Sequence, residues 1–256
     1  MIIKRDIKFT PANTTRHLHI HLPESYSTGH QLYPVMYFFD GHNLFDDSEA
    51  TFGKSWGLKD FLKRWSKDMI IVGIECGHKG NERLKEYCPY TFRGKFWGGT
   101  LKGIGFETLQ WVVSELKPVI DRDYRTWPHR EATGIAGSSM GGLMALCGAV
   151  CFNDWFSKAA CVSSTISPCM APLRRDIHKA DIEEDTRIYL SFGTEEAFHP
   201  HPTDPMQSRT ALQNLKVQEE LREKGVMTSL YCQVGGGHNE ASWEKQVPRF
   251  MDFLWM

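Results

Sequence analysis

Five consecutive residues, Gly137-Ser138-Ser139-Met140-Gly141, have the spacing G-x-S-x-G. The apolar segment Ala132 to Ala136 before them predicts a strand, and the run Gly142 to Val150 after them predicts a helix, which is the context this turn requires. Small residues at both glycine positions let the chain fold tightly enough to hold the serine in a strained backbone conformation and push its hydroxyl clear of a sheet. At a helix N-terminus, unpaired backbone N–H groups favour developing negative charge. The spacing therefore selects Ser139, not its neighbour Ser138, as a nucleophile.

A serine hydroxyl is a poor nucleophile without a histidine base and an orienting carboxylate, expected downstream in the order Ser, acid, His. The strand predicted over Arg187 to Phe192 runs into Gly193-Thr194-Glu195-Glu196, which places a carboxylate where open α/β sheets bind ligands. Glu196 is the first choice and Glu195 the runner-up. The strand predicted over Met227 to Val234 is followed by Gly235-Gly236-Gly237-His238, a flexible loop that brings His238 to the sheet edge as the base. An oxyanion needs two donors. The backbone N–H of Met140, next to the nucleophile, is one, and the His42 backbone N–H in the strand-ending turn Asp40-Gly41-His42-Asn43 is the other.

Other clusters carry less chemistry. His17, His19 and His21 alternate with Leu18, Ile20 and Leu22, and a solvent-facing polar row on an outer antiparallel strand explains them without an ion. Cys147 and Cys151 have the spacing of core neighbours on one helix. His199, His201 and Asp204 lie in an extended proline-rich stretch. No metal and no organic cofactor is called for.

The elements that must position these residues follow from hydrophobic periodicity. Tyr33 to Phe39 and Met69 to Ile74 are continuous apolar runs of the buried-strand type. Between them Leu58, Phe61, Leu62 and Trp65 form one helical stripe, and Phe106, Leu109, Val113, Leu116 and Ile120 form another before the serine strand. Phe156 to Val162 is a further strand, Arg209 to Lys224 a charged amphipathic helix and Ser242 to Phe253 a final helix. Alternating strands and helices imply an α/β protein, a mostly parallel central sheet flanked by helices on both faces. Cys88 to Gly105, rich in glycine and aromatics without a period, reads as a long surface loop.

Composition bounds the rest. The chain has 256 residues, 41% hydrophobic and 24% charged, enough to bury roughly three quarters of its unfolded surface without a disulfide or metal staple. One domain over residues 1–256 is the default. Thirty Lys plus Arg against 31 Asp plus Glu, with no basic stripe, exclude nucleic acid as the expected partner. No apolar run reaches the ~18 residues of a membrane span, and the N-terminus lacks a signal-peptide core, so the expectation is a cytoplasmic protein with no membrane partner. The seven scattered cysteines read as reduced thiols. A symmetric homo-oligomer is compatible with the chain, although nothing in it marks an interface.

The segments YPVMYFFDGHNLFDDSEATFGKSWGL, ELKPVIDRDYRT, IAGSSMGGLMAL, IYLSFGTEE and GGGHNEASW occur in this order across nearly the whole chain. Together they resemble the Putative esterase family of α/β-hydrolases, the group of enterochelin esterase-like enzymes, feruloyl esterase domains and mycolyltransferases. The resemblance implies the α/β-hydrolase fold, Ser139, Glu196 and His238 as catalytic residues, and the amide of His42 as oxyanion donor. Where relatives often read DGQN this chain reads DGHN, which keeps the backbone donor and adds an imidazole near the site.

The expectation is therefore a serine esterase whose partner is a small-molecule ester, with a small or aromatic acyl group, on a sugar or a siderophore. Trp56, Phe92, Trp97 and Phe198 are the aromatic residues expected to wall its pocket. An acyltransferase using the same acyl-enzyme and a non-catalytic binding protein on the same scaffold are the alternatives.

Overall fold

The computed structural model describes residues 1–94, 98–196 and 204–256. Strands β1 (Ile2–Phe9) and β2 (Thr14–His21) form an antiparallel pair, and β2 also pairs antiparallel with β4. Next in the chain come β3 (Val35–Phe39), α1 (Leu58–Arg64), β4 (Ile70–Ile74) and α2 (Glu82–Glu86). A two-stranded hairpin, β5 (Thr91–Gly94) with β6 (Gly99–Lys102), precedes α3 (Gly105–Trp111), a π turn over Val112–Leu116, and α4 (Lys117–Asp123). The second half contains β7 (Thr133–Ser138), α5 (Met140–Cys151), β8 (Lys158–Val162), α6 (Met170–Lys179) and β9 (Arg187–Gly193). It ends with α7 (Arg209–Glu223), β10 (Met227–Gln233), α8 (Glu240–Glu244) and α9 (Val247–Leu254).

The main sheet has the order β1-β2-β4-β3-β7-β8-β9-β10, and every pairing from β4 to β10 is parallel. Parallel strands require crossovers, and helices supply them on both faces. The side-chain alternation in β3 shows the consequence. Val35, Tyr37 and Phe39 enter one core with α5, α6 and α7, whereas Met36 and Phe38 enter a second with α1 and α9. Each such buried side chain contributes roughly 1.5–3 kcal/mol. This two-sided burial is why the central strands read as unbroken apolar runs.

Three expectations need correction. Cys88 to Gly105 is not a featureless loop, since Thr91↔Lys102 to Gly94↔Gly99 pair as a hairpin. The final helix is two, because the chain turns between Glu244 and Val247. Most consequential, β2 is not the outer strand, and His19 and His21 do not face solvent. β1 takes the edge, and the segment after β3 folds over the histidine face, with the Phe45 ring 6.1 Å from that of His21. His19 is 3% exposed, and its Nε2 lies 2.6 Å from Glu75; only His17 faces outward. Of the cysteine pair on α5, Cys147 is a core residue as expected, whereas Cys151, at the last position of the helix, is exposed. Among the described residues no helix is long and apolar enough to cross a membrane.

Candidate active site

Ser139 sits between β7 and α5 with φ 58° and ψ −121°, a region that side-chain-bearing residues avoid and that stores strain. The elbow is held closed by backbone contact. A Cβ on Gly137 would lie 2.6 Å from the Gly141 carbonyl carbon, and one on Gly142 would lie 2.9 Å from Val162 O. Only residues without a Cβ fit there. Ser139 N–H donates to Val162 O at 3.0 Å, and its carbonyl accepts from Leu143 and Thr165. Ser138, by contrast, is a buried strand residue with ordinary φ.

Met140 opens α5, so its N–H belongs to the first turn, which has no carbonyl to spend it on. His42 lies in the single 3-10 turn Gly41–Asn43, which is closed by Asn43 N–H donating to Asp40 O at 2.9 Å. Its amide is likewise outside that turn's hydrogen bonds. The residue at positive φ here is Asp40, at 59°, not Gly41. Gly41 is required for a different reason: a Cβ on it would strike Gly73 C at 2.5 Å in the neighbouring strand β4. Asp40 is pinned by Arg83, whose Nε and Nη2 donate to its two carboxylate oxygens at 2.7 and 2.8 Å. Burial pulls the Asp40 carboxyl up, but the charge and hydrogen bonds of Arg83 outweigh it and hold the group below its ordinary value.

At the ends of β9 and β10 the structure brings Glu196 and His238 together, with His238 Nδ1 3.3 Å from Glu196 Oε2. The other oxygen of Glu196 accepts from Ser163 Oγ at 2.6 Å and Gly193 N–H at 2.8 Å. Glu195 is exposed. The loop carrying His238 is stitched, not loose. Thr194 N–H donates to Gln233 O, Glu195 N–H to Gly236 O, and Gly235 N–H to Thr194 Oγ1. The Trp243 ring meets the imidazole edge-on at 5.2 Å. Ser139 Oγ has Thr165 Oγ1 as its partner at 3.3 Å, and no hydrogen bond joins it to His238 among the described residues. Nucleophile and base commonly come into full register only with substrate bound.

A family model described as "Putative esterase" matches residues 10–254. The chain belongs to that family. It is a carboxylic ester hydrolase with the α/β-hydrolase fold. It is 24% identical to the uncharacterized protein YbbA of Bacillus subtilis over 247 residues, 94% of this chain and 92% of the relative. Its fold resembles an IroE-like serine hydrolase from Shewanella oneidensis, with TM-score 0.75 and 22% identity over 99% of this chain and 79% of the other. It also resembles the enterobactin esterase of Shigella flexneri, with TM-score 0.75 and 16% identity over 100% of this chain and 59% of that longer one.

Two of the four aromatic residues expected to wall a pocket lie among the described residues. Trp56, 3% exposed, packs among Phe38, Trp243 and Phe250, and Phe92, 1% exposed, lies in the opposite core. Trp97 and Phe198, with His199 and His201, lie outside the described residues. Sequence reasoning missed Ser163, which holds Glu196 while itself at φ 49°, and Arg83, which holds Asp40. It also missed Glu240, a buried carboxyl that accepts from Asn43 Nδ2 at 3.3 Å and so links the His238 loop to the His42 turn. Burial pushes the Glu240 carboxyl up. No local signal marks these residues, since their partners are 33 to 197 positions away in sequence.

Proposed function

We propose that this esterase, as one domain spanning residues 1–256, works through an acyl-enzyme on Ser139. His238 takes the Ser139 proton as Oγ attacks the ester carbonyl, and the amides of His42 and Met140 hold the resulting oxyanion. Collapse expels the alcohol, protonated by the imidazolium. Water then attacks the acyl-enzyme, giving its proton to His238, and the carboxylic acid leaves as Ser139 regains its hydrogen. Glu196 orients the ring and stabilises its charged form.

The observation that carries this reading is the strained Ser139 at the head of α5, where the first-turn amides have no intrahelical acceptor. The substrate class that fits is a small or aromatic acyl ester of a sugar or siderophore, a reading supported by the likeness to an enterobactin esterase. Hydrolysis of a p-nitrophenyl ester series from acetate to decanoate, with methyl ferulate alongside, tests both parts. Ser139→Ala is expected to lose on the order of 10⁶ in kcat. Retained turnover in that variant would remove Ser139 from the mechanism, and a preference for decanoate would remove the small or aromatic acyl group.

A further inference from the structure

The turns after β3 and β4 emerge side by side, because the two strands are parallel neighbours with Phe39 opposite Ile74. They bring three ligand-type side chains together. One ring nitrogen each from His42 and His78 and the sulfur of Cys76 all lie within 4.8 Å of one another. The two rings meet edge to face at 4.8 Å.

Each imidazole has one nitrogen already committed. His42 Nε2 is held by Thr51 Oγ1 at 2.9 Å, and His78 Nε2 by Glu75 Oε2 at 3.1 Å. Metal-binding histidines are oriented by such partners on the far nitrogen, a carboxylate being among the commonest. In both rings this leaves Nδ1 to ligate. His42 Nδ1 is the telling atom, because the residue is only 8% exposed and that nitrogen is buried with no partner. An orphaned buried polar atom is costly, and a bound cation would satisfy it. A cavity of about 380 Å³, lined by Lys4, His19, His42, Glu49, Glu75 and His78 among others, borders the cluster; Lys4 pairs with Glu49 there, and Glu75 is the carboxylate beside His78.

We propose that His42, Cys76 and His78 form a zinc site, with water as the fourth ligand. A thiolate with two imidazoles is a donor set for a borderline-soft cation, and three protein ligands are compatible with an open fourth position. The Cys76 thiol releases its proton to solvent as the Zn–S bond forms. Tetrahedral zinc needs ligand atoms about 3.5 Å apart, so the cluster contracts by roughly 1 Å. His78, with 57% of its side chain exposed, is free to make that movement. The site is separate from Ser139 but shares His42 with the oxyanion turn, through the side chain instead of the backbone.

The test is titration of reduced, untagged, metal-free protein with Co²⁺, followed by displacement with Zn²⁺. One equivalent of Co²⁺ is expected to produce a near-ultraviolet thiolate-to-cobalt band that Zn²⁺ abolishes. Cys76→Ser is expected to lose the band. His78→Ala, at an exposed position, is expected to bind Co²⁺ at least tenfold more weakly with an unchanged circular dichroism spectrum. Absence of the band in the wild-type chain, its persistence in Cys76→Ser, or unchanged affinity in His78→Ala would each overturn the site. Ser139→Ala should titrate like the wild type, so this readout stands apart from esterase activity.

Discussion

Ser163 donates its hydroxyl to Glu196 at 2.6 Å while accepting the Trp243 indole N–H at 3.0 Å. Glu196 therefore lies within a hydrogen-bonded chain from Trp243 to His238. Ser163 touches neither the nucleophile nor the base and acts by positioning. Its positive φ costs stability that glycine would recover, whereas alanine would not. Ser163→Gly is expected to keep a higher urea midpoint than Ser163→Ala, both below the wild type because the Trp243 indole N–H loses its acceptor, with kcat down about tenfold in both and KM unchanged, as one hydrogen bond to a charged group is lost. Wild-type kcat in Ser163→Gly would mean that the hydroxyl does no work.

The two adjacent glutamates separate on geometry. Glu196 faces His238, and its neighbour Glu195 is exposed. Glu196→Gln keeps the shape but loses the charge that steadies the imidazolium, so kcat should fall about 10³–10⁴-fold. Glu195→Gln should stay within about threefold of wild type. Steady-state kinetics of both variants decide between them, and comparable losses would break the assignment.

The His42 turn depends on a close approach that one methyl group would prevent. Gly41→Ala places Cβ against the backbone of Gly73, which cannot yield as a flexible side chain could. The turn must lift off β4 and take the His42 amide with it. A loss of about 10²–10³ in kcat is expected, the cost of one oxyanion donor. Gly53→Ala is the control for lost activity alone, since nothing lies near its Cβ, although its φ of 71° makes it mildly destabilising.

Arg83 stabilises the same turn electrostatically. Removing it leaves the Asp40 carboxylate buried without its bidentate partner. A fully buried pair broken in this way costs about 3–5 kcal/mol; here about 2 kcal/mol is expected, because the Arg83 side chain keeps some contact with water. Arg83→Lys should recover only part of that, as an ammonium cannot reproduce the fork. Urea unfolding of Arg83→Ala and Arg83→Lys beside the wild type measures the difference, and a wild-type midpoint in Arg83→Lys would show that charge alone suffices.

How far this molecule can be read from its residues depends on how local each cause is. Ser139 was legible because the glycines that make its elbow lie within two residues of it, and the buried strands because both faces of each are apolar. Glu196 and His238 followed from their places after strands. The hairpin at residues 91–102 was not legible, as glycines and aromatics without alternation hide a strand pair. His19 and His21 were misjudged because period-two alternation shows that two faces differ, not that one is wet. What covers their face comes from residues 45 to 75, a tertiary fact. Ser163, Arg83 and the His42, Cys76, His78 cluster depend on distant partners in the same way.

The burial of His21 has a consequence for stability against acid. Burial first, with the nearby N-terminal ammonium adding to it, pulls its pKa from 6.5 down to about 4, against smaller upward effects from the Met69 backbone and Asp68. The folded chain therefore binds fewer protons than the unfolded chain between those values. Stability is complete above about pH 6.5, falls as the pH drops through the window, and levels off below about pH 4, with a loss on the order of 3 kcal/mol from this residue. His21→Phe removes the titration while keeping a ring against Phe45. Chemical denaturation at pH 7.5 and pH 4.5 is expected to show a smaller drop in unfolding free energy for this variant than for the wild type. An identical drop would mean that His21 takes up its proton in the folded chain as readily as in the unfolded one, and that other groups govern the acid limb.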